Sequence, residues 1–155
     1  MNDMRDTFEL GQSETFPLYI DGRWETGEGE PFTLLNKYTL QPMASVSSPS
    51  DAQIAKVIDS AHAAFREGAP VAYERGAILD RAAVLVAERR DDFIAIMQQE
   101  AGFTAADAGG EVGRCIQTLR LSAEEARRLA GDVIPLEGAP NQSGRLAFTG
   151  RGPLG

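Results

Sequence analysis

Apolar residues fall along this chain with two different periods, and the change of period divides it into three stretches. In the first, Leu18-Tyr-Ile-Asp-Gly-Arg-Trp-Glu25 sets β-forming residues on both sides of Asp21-Gly22. An Asp-Gly pair between such residues predicts a tight hairpin, because both central positions of its turn need a positive φ. A Gly- and Glu-rich turn from Thr26 to Pro31 leads into a strand at Phe32-Thr-Leu-Leu35. A second turn around Leu40-Gln-Pro42 precedes a fourth strand at Met43-Ala-Ser-Val-Ser47. Two β-hairpins are therefore predicted, behind a polar, aperiodic, flexible tail over residues 1–16.

After Pro49 the period becomes helical. Ser50 with Gln53 three residues on has the pattern of a capping box, so a helix begins there. Ile54, Ile58, Ala61 and Phe65 recur at helical spacing, and Gly68 with Pro70 ends the run. A second helix is predicted from Tyr73 to Glu88, with Ile78, Ala82, Leu85 and Val86 on its apolar side. Asp91 is the expected N-cap of a third, running from Asp92 to Glu100 and ended by Gly102. Thr104 with Asp107 opens the longest helix, which is expected to reach Gly131. Its stripe of Val112, Ile116, Leu119, Ala123, Ala126 and Ala130 is one continuous face.

The closing stretch returns to β. Val133-Ile-Pro-Leu136 is a short strand, Glu137 to Ser143 a polar loop, and Arg145 to Thr149 another strand. The final Arg151-Gly-Pro-Leu-Gly155 reads as a turn leading into a further element, and the expectation is a chain cut short before it. Hairpins, helices and then strands fit a compact α+β domain or one part of a larger fold.

At 155 residues and 43% hydrophobic composition the chain has the size of one domain, which buries about 70% of its unfolded surface. A net charge of −8 opposes nucleic-acid binding, which needs a basic face, and electrostatic attachment to anionic lipid. No apolar run approaches a membrane span, and the N-terminus lacks the apolar core of a signal peptide. One cysteine, Cys115, excludes an internal disulfide and fits a cytoplasmic setting.

Candidate chemistry is sparse. Cys115 lies mid-helix beside an apolar stripe with no sequence-adjacent histidine, so a small buried core residue is expected, and not a nucleophile. His62, the only histidine, is expected at a helix surface or boundary. Gly109-Gly-Glu-Val-Gly113 lies inside a predicted helix with no strand before it, which argues for close packing against a neighbour and against a phosphate cradle. Asp91-Asp92 and Glu124-Glu125 are adjacent on helices and do not face one another, so neither pair shares a proton. Arg120 flanks the stripe and is expected in a surface salt bridge. No residue is assigned a catalytic, cofactor-binding or metal-binding role.

Taken in order, these segments resemble the N-terminal region of the NAD(P)-dependent aldehyde dehydrogenases. Leu18 to Trp24 resembles the family's opening I-N/D-G-x-W hairpin, and Phe32-Thr-Leu-Leu-Asn36 its F-x-x-x-N-P strand. Asp51 to Phe65 resembles a helix of the form D-x-x-x-A-x-x-x-A-x-x-A-F, and Arg75 with Ile78-Leu79 and Ala82-Ala83 resembles the next. Glu100-Ala-Gly102 is similar to E-T-G-K, Glu111-Val112 to an E-V pair, and Gly131 with Ile134-Pro135 to G-x-x-I/V-P. Arg151-Gly-Pro-Leu-Gly155 resembles R-x-P-L/I-G-V. The resemblance covers residues 17–155. Lys37 departs from the family's proline after Asn36, and Ala101 and Phe103 depart from E-T-G-K.

The resemblance implies an α/β fold in the complete family member. This portion would supply two N-terminal hairpins, about four helices around the cofactor domain, and short strands that include the start of an oligomerisation arm near Arg145 to Thr149. A complete enzyme would oxidise an aldehyde with NAD or NADP through a cysteine thioester and is expected to form a homo-oligomer. The nucleophilic cysteine, the general-base glutamate and the glycine-rich cofactor turn have no counterpart here, and Cys115 does not match the nucleophile. This portion alone is therefore expected to bind no cofactor and to be inactive. The alternative is a stand-alone interaction module that pairs with a dehydrogenase subunit through its arm strand.

Overall fold

A computed structural model describes residues 15–152. The first hairpin joins β2 (Leu18–Ile20) to β3 (Arg23–Glu25) after a two-residue strand β1 (Thr15–Phe16). Asp21 and Gly22 have φ of 53° and 73°, the two positive values a type I′ turn demands. On this hairpin Tyr19 faces Trp24, their rings 4.9 Å apart and both largely exposed.

The second hairpin pairs β4 (Gly29–Leu35) with β5 (Pro42–Ser48) antiparallel. Its register slips between Gly29 and Phe32, where β4 carries an extra residue beside Pro31, a residue with no amide proton to give the ladder. β5 is the central strand: β1 adds to its other edge in parallel, giving the order β1-β5-β4. The sequence expectation of a flexible stretch through residue 16 is corrected here, since Thr15 and Phe16 pair with Ser45 and Val46. That pairing spans the whole first hairpin and β4, so no local pattern announces it. Residues 1–14 lie outside the described residues.

Four helices follow: α1 (Asp51–Glu67), α2 (Ala72–Glu88), α3 (Arg90–Ala101) and α4 (Ala105–Arg127). The Ser50 capping box forms as expected, with Ser50 Oγ accepting from the Gln53 amide at 3.3 Å. The Thr104 cap also forms, accepting from the Asp107 amide at 3.2 Å. Asp91, the expected N-cap of α3, sits inside that helix. Only Arg89 separates α2 from α3, and the Arg89 amide donates to Leu85 while the Arg89 carbonyl accepts from Phe93. Helical hydrogen bonding thus runs through the junction and leaves no bare terminus to cap. Asp91 and Asp92 instead place negative charge in the first turn, where the helix dipole favours it.

α4 ends at Arg127, short of the predicted Gly131. Gly131 serves a crossing: a side chain there would collide with the Thr149 backbone. Asp132 and Thr149 bind each other through two hydrogen bonds, Thr149 Oγ1 accepting from the Asp132 amide at 2.8 Å and the Asp132 carbonyl from the Thr149 amide at 2.9 Å. This crossing opens an antiparallel ribbon of β6 (Val133–Ile134) and β7 (Ala147–Phe148), shorter than the sequence pattern suggested.

The core lies between α2, α3 and α4. Ala83, Val112 and Ile116 are buried there, with Val86, Ile94, Met97 and Leu119 packed around them. Ala108 and Ala123 are fully enclosed. The predicted stripe of α4 is therefore the buried one, except that Ala130 lies beyond the helix and is exposed. On α2 the expected face is corrected: Ile78 and Leu85 are exposed, while Gly76 and Ala83 are buried. Helix α2 meets α4 through its small residues. At Gly76 the Arg127 side chain fills the space a Cβ would take, reaching Asp80 at 2.5 Å and the Ala123 carbonyl at 3.3 Å.

Candidate functional site

Among the described residues, those with nucleophilic or acid–base chemistry do not converge. Cys115 is exposed on α4, a correction to the buried position expected from its neighbours. The inward face of α4 centres on Val112, Ile116, Leu119 and Ala123, and Cys115 lies at its rim. His62 is exposed on α1, at the helix surface where it was expected. Arg120 is exposed and joins no ion pair among the described residues, so the expected salt bridge is absent. Glu124 and Glu125 face solvent, and Glu125 accepts a hydrogen bond from Arg128 that raises the guanidinium pKa above its already high value. Among the described residues no three His, Cys, Asp or Glu side chains are grouped so as to hold a metal ion.

Of the α4 glycines, Gly109 has the packing role expected of them. Arg90 of α3 donates to the Gly109 carbonyl at 2.7 Å, and a Cβ at Gly109 would approach that guanidinium to 3.3 Å. These glycines lie inside α4, with α3 and not a strand before them.

Two polar junctions lock the hairpins to the helices. The first centres on Gln53, which is buried at 7% exposure. Its Oε1 accepts from the Glu28 amide at 2.9 Å and the Ser50 amide at 3.1 Å, and its Nε2 donates to the Thr26 carbonyl at 3.0 Å. Ser50 Oγ donates to Glu28 at 2.6 Å, and Lys56 pairs with Glu25 at 2.6 Å. A side chain at Gly27 would strike the Ser48 backbone, so this loop closes on β5 only without one. Every buried polar atom of the junction is thereby satisfied.

The second junction joins the β4–β5 turn to the end of α3. Asn36 Oδ1 accepts from the amides of Tyr38 at 2.9 Å and Thr39 at 3.1 Å, an arrangement that folds the turn locally. The Lys37 amide donates to the Gln99 carbonyl at 2.8 Å, and the Tyr38 hydroxyl donates to the Phe103 carbonyl at 2.8 Å. The first bond satisfies a carbonyl in the last turn of α3 that the helix itself leaves unpaired, and the second ties the turn to the linker between α3 and α4. Proline at position 37 would have no amide to give, so the departure from the N-P pattern supplies a bond.

What the chain presents outward is apolar surface. Ile54, Val57, Ile58 and Phe65 of α1 are between 43% and 62% exposed. A groove of about 480 Å3 opens between α2 and α4, lined by Leu79, Leu121, Ala126 and Leu129. A smaller cavity of about 310 Å3 lies between the three-stranded sheet and α3, walled by Leu34, Met43, Val46 and Ile96 with Glu100 beside them. On the ribbon, Val133 and Phe148 are more than 70% exposed. Sequence reasoning found the α1 stripe but could not say that nothing in the described chain covers it.

The sequence model of the aldehyde dehydrogenase family matches residues 24–155. The 3-sulfolactaldehyde dehydrogenase of Priestia aryabhattai is 39% identical over 146 residues, covering 94% of this chain and 30% of that protein. The chain thus spans about 30% of the length of that curated relative. Among solved structures, aldehyde dehydrogenase 21 from Physcomitrella patens, in complex with the reaction product succinate, superposes with a TM-score of 0.78 at 29% identity. That match covers 88% of this chain and 28% of the other. The NAD-dependent benzaldehyde dehydrogenase from Corynebacterium glutamicum gives a TM-score of 0.70 at 29% identity, over 76% of this chain and 26% of the other.

Proposed function

Because the chain belongs to the aldehyde dehydrogenase family, we propose that its residues are the N-terminal portion of an enzyme oxidising an aldehyde to a carboxylic acid with NAD or NADP. The bond-making cysteine, the general base and the cofactor turn belong to segments beyond these residues. The portion described supplies scaffold. Its α2–α4 core is packed from residues of the described chain, whereas the α1 stripe and the α2–α4 groove await cover from the rest of a family-length chain. The observation that carries this reading is the match over residues 24–155 at about a third of a relative's length. The complete enzyme is proposed to be a cytoplasmic homo-oligomer, in keeping with a single free thiol and an outward-facing ribbon.

Two measurements test it. Purified chain mixed with NAD or NADP and an aldehyde should produce no NAD(P)H; turnover above the blank would contradict the proposed silence. The relatives suggest aldehydes that carry an anionic group as the first to try, since one acts on 3-sulfolactaldehyde and another holds succinate. A chimera should then place these 155 residues ahead of the remaining part of the Priestia enzyme. Restored turnover is expected, and a soluble, cooperatively melting chimera without turnover would overturn the scaffold reading.

The ribbon favours a second reading, in which the chain acts alone as a module that pairs with a dehydrogenase subunit. β6 and β7 bond only to each other among the described residues, and exposed strand edges are templates for another chain. Co-purification with a full-length dehydrogenase is expected under this reading, and its loss on replacing Val133 and Phe148 by Lys would tie the contact to the ribbon.

A further inference from the structure

We draw no further inference here: the strongest candidate, the open groove of about 480 Å3 between α2 and α4 lined by Leu79, Leu121, Ala126 and Leu129, carries none because nothing in the structure shows what covers it.

Discussion

Helices α1 and α4 are both amphipathic, yet they spend their apolar faces in opposite ways. α4 turns Val112, Ile116 and Ala123 inward against α2 and α3. α1 docks through Gln53, Lys56 and Ser60, which stand at i, i+3 and i+7 along one polar edge. Its apolar stripe, rotated more than a third of a turn away at about 100° per residue, stays outside. A hydrophobic period therefore predicts a helix in both cases and predicts burial in only one. Burial depends on what lies opposite, and for α1 the described chain holds nothing opposite.

The same deletion made in both helices is the sharpest test of that contrast. Ile116→Ala should cost about 2–4 kcal/mol, because it empties a packed site. It should lower the thermal midpoint followed by far-ultraviolet circular dichroism. Ile58→Ala, at a residue 62% exposed, should stay within about 0.5 kcal/mol. Equal losses at the two positions would dissolve the distinction. Going further, Ile58→Asp should raise the chain's solubility and leave the midpoint in place, because it interrupts an exposed apolar patch.

The polar docking of α1 can be broken separately. Gln53→Leu leaves the Glu28 amide and the Thr26 carbonyl without their partner, a loss of about 1–3 kcal/mol. Hydrogen exchange should quicken in the first turns of α1 and remain slow in α4; uniform quickening would show that the junction supports the whole domain. Ser50→Ala removes the cap together with the hydroxyl's bond to Glu28 and should cost about 1–2 kcal/mol.

The smallest expected effect concerns the second junction. Lys37→Ala keeps the backbone amide and should be near neutral. Lys37→Pro removes the donor to Gln99 and should cost about 1 kcal/mol. Indistinguishable midpoints for the two variants would mean that the bond contributes nothing.

Much of this fold was legible in the sequence wherever the signal is local. Asp21-Gly22 announced its turn because few dipeptides tolerate two positive φ values. Ser50 and Thr104 announced helix starts because their side chains satisfy amides within three residues. The misses share a cause. The partner strand of Thr15–Phe16 lies some thirty residues away, and its pairing leaves no periodic trace. On α2, Ile78 and Leu85 dominated the reading because they are large, while the true contact uses Gly76 and Ala83, whose value is that they are small. Cys115 was placed inside by residue type, and helix geometry set it at the rim. The candidate site was less legible still. Residue types could identify candidate chemistry, but only the three-dimensional arrangement distinguishes apolar surface that is covered from surface that is open.

The hairpin at the start of the chain has a practical consequence. Trp24 is the only tryptophan, and Tyr19 lies beside it on a ribbon outside the helical core. Intrinsic fluorescence excited at the indole therefore watches the hairpin, while the helical dichroism signal watches α1 to α4. A single sample carries two optical reporters on two regions of the molecule. If their melting curves coincide, hairpin and core unfold as one cooperative unit; if fluorescence moves first, the junction at Gln53 is the seam along which they part.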